Sequence, residues 1–511
     1  MMFSMNTTPD PKSEAARAFK AKEFDAAARL FERALEVEPE MAELWHDLGQ
    51  TYRALNRLVD AADAYNKAAE LRSDFGEPLN SLGALSRLAG NLEMATDYYH
   101  QAIARRPEFP EVHFNLGVLA DEQGDPESAR RHYESALEHR PNYLQAQNNL
   151  AVLMTDAGEF SEAEALLRAA LGEVPESAEL WTSLGTCLRH TGSLDKAGEA
   201  YQQALSLKAD FQEAAWNVSL VQLAQGAFKT GWANYRHRPS AGREKRPMPD
   251  ETLPPGLTGR RFALEGEQGL GDELFFLRFV PALLERGATV TYRGDARLEG
   301  MISRGLPDLA AGDDSADLVR IADLPYLLES EDTPPSLVIP ALERKLEEAR
   351  EALRDAGPPP YAGLTYRAGL QGEGALFKEA PLKEVAQLLS GLPGTILNLQ
   401  RDQLDEEQEE LFRCLGNRIA DFSACNEDLE AMLALLSLLD DYIGVSNTNM
   451  HLRAAAGQTA RVLVPQPAEY RWMAAGGSPW FRGFPVYRQA PDGSWDEAFR
   501  SLSSDLKASH G

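Results

Sequence analysis

Two stretches of this chain combine residue types and spacing that could carry chemistry. The first, Glu267-Gln268-Gly269-Leu270-Gly271-Asp272-Glu273, follows a short apolar segment, Arg261–Leu264, and opens the run Leu274–Leu284. That order predicts a strand, a glycine-rich turn and a helix start. Gly269 and Gly271 are expected to let the backbone turn tightly and approach a ligand where a Cβ would block it. Asp272 then stands where a strand ends in an open α/β sheet, a common place for reactive groups. Its competing job is to cap the helix, and Glu267 is a second carboxylate at the same turn. The other stretch, Ser446-Asn447-Thr448-Asn449-Met450-His451-Leu452, follows the apolar segment Asp441–Val445 and starts a helix running through Ala456. Ser446, Asn447 and Thr448 are good caps, and the free N–H groups of a helix start suit an anion. Arg367 ends the segment Tyr361–Tyr366 and leads a glycine-rich loop, Ala368–Ala375, with Lys378 just beyond. Gln400-Arg401 end Thr395–Leu399. These strand ends share one sheet edge, so their cations can converge on phosphate.

The elements that must position these residues alternate strand and helix from Arg260 onward. Expected strands are Arg261–Leu264, Thr289–Tyr292 and Leu318–Ile321, then Tyr361–Tyr366, Thr395–Leu399, Arg418–Asp421, Asp441–Val445 and Arg461–Val464. Such alternation implies parallel sheets wrapped by helices. A charged helix, Ala341–Ala356, and Pro358–Pro360 divide the region into a body at 260–340 and a second at 341–511 that carries the final helix. Residues 239–259 are rich in Pro and Gly without periodicity and read as a linker.

Before the linker, residues 8–238 repeat with a period of 34. Ala27, Ala61, Ala95, Ala129, Ala163 and Ala197 recur in register. Phe31, Tyr65, Tyr99, Tyr133, Leu167 and Tyr201 follow four residues later, and Gly49, Gly83, Gly117 and Gly185 mark the first half of each unit. Small residues there let two helices cross closely, and the aromatic is expected to fill the groove toward the next unit. One such unit exposes an apolar face, so stacking stabilises the array. Residues 212–238 form a degenerate terminal cap in which Trp216, Phe228, Trp232 and Tyr235 could dock the array on the α/β region. Asp47, Ser81, Asn115, Asn149, Ser183 and Asn217 share one phase in the first helices.

Composition sets outer limits. The 511 residues exceed one core and carry a net charge of -28, which argues against general nucleic-acid binding. A phosphate-bearing ligand must therefore meet a local cluster of Lys and Arg. Cys187, Cys414 and Cys425 lack metal-ligand spacing and read as thiols in a reducing cytoplasm. The N-terminus lacks a signal-peptide layout, and no stretch is long and apolar enough to insert in a membrane.

The repeat resembles the tetratricopeptide repeat. QGLGDELFFLRFVPALLERGATV resembles the first βα unit of bacterial proteins that join such repeats to a glycosyltransferase-like domain. More distantly it is similar to the heptosyltransferases, and DLEAMLALLSLLDDYIGVSNTNMHLRAAAGQTARVLVPQPAEYRW matches both groups in order. The resemblance implies a tetratricopeptide superhelix followed by α/β, with two Rossmann-like bodies of GT-B type: 260–340 on the acceptor side and 341–511 on the nucleotide-sugar donor side. It makes Asp272 the base that takes the acceptor hydroxyl proton, with Gln268, Gly269 and Gly271 as the acceptor-side turn. Arg367, Lys378, Gln400, Arg401, Ser446, Asn447, Thr448, Asn449 and His451 become donor-binding residues. No metal or resident cofactor is needed, because cations and the helix end can neutralise the leaving diphosphate. The family usually has Asp-Thr where this chain has Asn447-Thr448, which removes a negative charge near the donor.

By similarity of layout to O-GlcNAc transferase, Asp47, Asn115, Asn149 and Asn217 would hold a peptide backbone in the groove, the Asn amides offering donor and acceptor together. The expected activity is sugar transfer to a Ser or Thr hydroxyl of a captured protein, with flagellin as acceptor by analogy only. The alternative is a non-catalytic scaffold carrying a degenerate transferase. The enzyme requires Asp272, Lys378 and the Asn447–His451 loop around one open cleft; a cleft filled by side chains favours the scaffold.

Overall fold

The computed structural model describes residues 11–239, 251–310, 316–368 and 378–510. Residues 240–250 of the expected linker and 369–375 of the expected glycine-rich loop lie outside them. The chain divides into two compact units, Met1–Pro175 and Glu176–Gly511.

The first unit is built from helix pairs, beginning with Pro11–Lys20 and Phe24–Val37 and ending with Leu144–Asp156 and Phe160–Glu173. In the units that carry a glycine at this phase, the aromatic lies against it within the unit, and the ring also reaches the next unit, as Tyr133 does toward Asn149 and Tyr65 toward Leu79 and Leu82. A Cβ on Gly49 would stand 2.6 Å from the Tyr65 ring, and one on Gly83 or Gly117 would stand 2.5 Å from Tyr99 or Tyr133. The ring lies on bare backbone, so the glycine is required by a close approach. Each pair is joined by a turn with one left-handed residue: Asn56, Gly90, Gly124 and Gly158 hold positive φ, and in the first pair the position is Lys22 at φ 62°.

The second unit opens with two more helix pairs, Ala178–His190 with Leu194–Leu207 and Gln212–Ala224 with Phe228–Tyr235. A three-stranded parallel sheet comes next, with β1 (Arg261–Glu265) between β2 (Thr289–Arg293) and β3 (Asp317–Arg320). After β4 (Tyr361–Thr365) comes a two-stranded antiparallel ribbon, β5 (Arg367–Ala368) and β6 (Lys378–Glu379). The remaining strands are β7 (Thr395–Asn398), β8 (Ile419–Asp421), β9 (Asp441–Val445), β10 (Arg461–Val464) and β11 (Val486–Arg488). They join β4 in a parallel six-stranded sheet of order β11-β10-β9-β4-β7-β8. Strand β11 was not expected from the sequence.

The chain leaves β4 toward β7 and β8, then returns to β9 on the other side. The carboxyl ends of β4 and β9 therefore flank a topological switch point. Ile443 and Val445 of β9 face a core closed by Trp495, Ala498, Leu502 and Leu506 of the final helix, Asp496–His510. Tyr442 faces the opposite core, which runs continuously from Leu223 and Trp232 of the last helix pairs through Phe275 and Phe279 to Trp472 and Trp480. Trp232 is 2% exposed, with Tyr235, Tyr470 and Trp480 rings 5.3 to 5.8 Å from its own. The terminal helix pair is thus docked on the α/β body through aromatic packing.

Candidate functional site

Asp272 is the third residue of the helix Leu270–Phe276. Its Oδ2 accepts from the Gly269 N–H at 3.3 Å, so it does cap the helix. Its Oδ1 accepts from an Arg471 guanidinium nitrogen. The expectation for the glycines needs correcting. The left-handed residue of this turn is Gln268, at φ 65°, with Gly269 in extended backbone. Gly271 is needed for a close approach, but to protein: a Cβ there would stand 3.0 Å from His451 Cδ2. The turn is thereby pressed onto the start of the helix Thr448–Ala455. Gln268 is within 3.5 Å of the Tyr235 hydroxyl, which donates to its side-chain oxygen.

From Asp272 a line of alternating charges runs into the second sheet. Arg471 also donates to Glu469, at 2.5 Å. Glu469 accepts from Lys378 Nζ at 2.6 Å, and Lys378 also donates to the Ser446 carbonyl at 3.3 Å. Burial alone would raise the Glu469 carboxyl; Lys378 and Arg471 outweigh it and hold the group far below the usual carboxylate range. Asp272 and Lys378 are thus brought together, through two residues that the sequence analysis did not single out. Glu469 and Arg471 flank Tyr470 in an aromatic-rich segment, and only the fold reveals that both charges turn inward.

The space left at this point is small. The pocket lined by Lys378, Ser446, Glu469 and Trp472 has a volume of about 10 Å³, room for roughly one water. Small-molecule sites typically enclose about 300–1,000 Å³. Ser446 is 2% exposed, and its Oγ has no partner among the described residues.

The other expected donor residues serve the fold. Asn447 caps the helix: its Oδ1 accepts from Met450 N at 3.0 Å, while its Nδ2 donates to Thr365 Oγ1 at 2.9 Å. Thr448 is the first helical residue and lies against Gly271. Asn449 is buried and donates to Asn426 Oδ1 at 3.1 Å. His451 is buried among Phe275, Phe481 and the Gly271 backbone; burial, then Arg471, draws its pKa well below the ordinary value, so it is neutral at pH 7. Gln400 accepts from the Tyr366 and Arg367 N–H groups, each at 3.1 Å, tying the end of β7 to the end of β4. Arg367 forms a two-pronged pair with Glu407 at 2.9 and 2.8 Å, and Arg401 pairs with Glu427 at 2.9 Å. Glu267 and Asp323 both bind the buried Arg238, which fastens the segment after the last repeat to the first sheet. Trp472, Trp480 and Phe481 pack in the core, Trp472 stacked on Phe481 at 4.5 Å.

In the first unit, Asp47, Asn115 and Asn149 are half-buried on the first helices of their pairs. Asn115 donates to Asn80 Oδ1 at 2.8 Å and Asn149 to the Tyr133 hydroxyl at 3.2 Å. Burial raises the Asp47 carboxyl. Asn217 belongs to the second unit, half-buried on the helix Gln212–Ala224. Among the described residues, no three His, Cys, Asp or Glu side chains gather as metal ligands, and no helix is long and apolar enough to cross a membrane.

Two family profiles, both described as tetratricopeptide repeat, match the chain, one at residues 13–74 and 89–143 and the other at 122–186 and 154–223. No curated protein matches it. Among solved structures, the chain is similar to YrrB, described as a tetratricopeptide protein with an unusual peptide-binding site: 22% identity, TM-score 0.31, covering 37% of this chain and 96% of that one. It is also similar to the APC/C Cut9–Hcn1 heterotetramer, at 18% identity and TM-score 0.39, covering 42% of this chain and 43% of that one. A tetratricopeptide repeat protein from Parabacteroides merdae matches at 18% identity and TM-score 0.38, covering 46% and 93%. The chain therefore carries tetratricopeptide repeats, followed by an α/β region of parallel sheets and helices.

Proposed function

We propose that this chain is a protein-interaction scaffold: its repeat array holds a polypeptide partner, and its α/β region is a glycosyltransferase-like body whose cleft is neutralised by its own side chains. The observation that supports this reading is the charge line Asp272–Arg471–Glu469–Lys378 across the switch point. Two anions and two cations cancel, and Glu469 stands where a donor phosphate would have to meet Lys378. The other cations expected at the phosphate, Arg367 and Arg401, are held by Glu407 and Glu427. A nucleotide-sugar would have to displace a buried carboxylate from its two partners, which is costly. The test is a thermal-shift panel of UDP, GDP, ADP and CMP and their sugar forms on the native chain and on Lys378→Ala. A ligand that binds only the folded state raises the melting temperature. The scaffold predicts no shift; a shift for one nucleotide that disappears in Lys378→Ala overturns it.

A second reading is favoured by one specific observation, the convergence of Asp272, on the helix after β1, and Lys378, at the start of β6, through Arg471 and Glu469. In that reading the two parallel-sheet bodies form a GT-B transferase. Asp272 accepts the proton of a Ser or Thr hydroxyl on the captured protein, flagellin by analogy. The hydroxyl oxygen bonds the anomeric carbon as the bond to the nucleotide phosphate breaks, and Lys378 and Arg471 neutralise the leaving group without a metal. Glu469 must then leave Lys378 before the donor binds. A mass increase of one sugar on the partner protein, absent with Asp272→Asn, is the result this reading needs.

A further inference from the structure

At the start of the array, a pocket of about 360 Å³ opens between the first helix pair and the helix Ala42–Ala54. Its apolar walls are Phe19 and Phe24, whose rings meet edge to face at 5.5 Å, and its polar rim is Gln50, Lys20, Lys22 and Arg53. Among the described residues no carboxylate lines it, in a chain of net charge -28. The side chains of Lys20, Lys22 and Arg53 are exposed and have no hydrogen-bond or ion-pair partner among the described residues. Elsewhere in this unit arginines reach across to carboxylates, as Arg72 does to Glu43 and Arg130 to Glu159.

Two of the three cations have an ordinary explanation. Lys20 and Arg53 lie in the last turns of their helices, where positive charge suits the helix dipole. Lys22 does not. It occupies the left-handed position of the inter-helix turn, at φ 62°, which Gly90, Gly124 and Gly158 fill in later pairs and Asn56 in the second. Among these turn residues Lys22 alone puts a long cationic side chain on the pocket, in a conformation that a lysine seldom adopts.

We infer that this pocket binds an acidic polypeptide segment carrying an aromatic or aliphatic side chain, which the two phenylalanines receive while the three cations meet flanking carboxylates. The inference rests on the protein-binding reading of the array and names one partner class for it. A free small anion would leave the apolar walls unused. A nucleic acid would extend beyond the pocket onto an acidic protein, whereas a short acidic segment feels mainly charges within about 10 Å.

The experiment is fluorescence anisotropy on the full chain with a short labelled peptide of alternating Glu and Phe, and with a counterpart carrying Gln for Glu. Binding is expected for the Glu peptide, weakened about tenfold or more by the double change Lys20→Glu and Lys22→Glu, and weakened by added salt. Lys22→Gly separates function from fold: it should weaken binding several-fold while leaving the melting temperature unchanged or raised. Equal binding of the Gln peptide, or an unchanged Kd in the charge-reversed chain, overturns the inference. If Asn115→Ala with Asn149→Ala abolishes binding while the pocket variants bind normally, the pocket inference falls and the protein-binding reading stands. If neither peptide binds the native chain, the pocket inference falls, and capture of a partner that Asn115→Ala with Asn149→Ala abolishes then tests the protein-binding reading separately.

Discussion

Asn447 illustrates how a residue can look chemical in sequence and prove structural in place. A polar residue after a buried strand and before a helix fits both a ligand loop and an N-cap. Here its oxygen caps Met450 and its amide nitrogen ties β9 to Thr365 of β4. Asn447→Ala should therefore cost about 1–2 kcal/mol in chemical denaturation. A loss under about 0.3 kcal/mol would mean the cap is idle. Histidines at this scale give a pH dependence. Burial lowers His46 and His190 to about 4 and takes His451 well below its ordinary value. The unfolded chain takes up protons near pH 6.5 and these folded sites do not, so stability is full above about pH 6.5 and falls as pH drops toward 4. His451→Gln should flatten that fall in a series of melting temperatures from pH 7 to pH 5; an unchanged slope would show that His451 does not contribute.

At the scale of elements, the repeat was legible because its period recurs, and in four units it places a glycine against a tyrosine ring. Gly117→Ala forces a methyl into the Tyr133 ring and should destabilise by about 1–3 kcal/mol. Gly172→Ala is the matched control: it lies in the helix Phe160–Glu173 with no atom within 4 Å of its Cβ position. It should stabilise by about 0.5–1 kcal/mol. Urea midpoints that move the same way for both would refute the packing argument. Strands were legible for a similar reason, since short apolar runs bounded by turns mark buried parallel strands. The site was less legible. Lys378 and Asp272 stand at strand and helix ends that a pattern can locate, but their charge partners depend on which side chains turn inward. Nothing in the spacing of Glu469 and Arg471 distinguishes a buried pair from a solvated one. Gln268 was missed as the left-handed residue because two glycines beside it looked better suited to the turn.

At the scale of the molecule, the last helix pairs share a core with the α/β body, so the compact units divide at Pro175 rather than at the end of the repeats. Trp232 is the centre of that shared packing, and Trp232→Ala should cost about 3–5 kcal/mol. Circular dichroism and limited proteolysis should then show loosening of the segment after Tyr235 together with the α/β body, not of that segment alone. At this scale too, the α/β region that we propose to be transferase-like is closed to anionic donors by Glu469. Isothermal titration with inorganic pyrophosphate, on the native chain and on Glu469→Gln with its fold checked by circular dichroism, tests this closure most directly. The account predicts no binding to the native chain and binding to Glu469→Gln, whose Lys378 is then without an anionic partner while Arg471 keeps only Asp272. Binding to the native chain that the substitution fails to strengthen would contradict it.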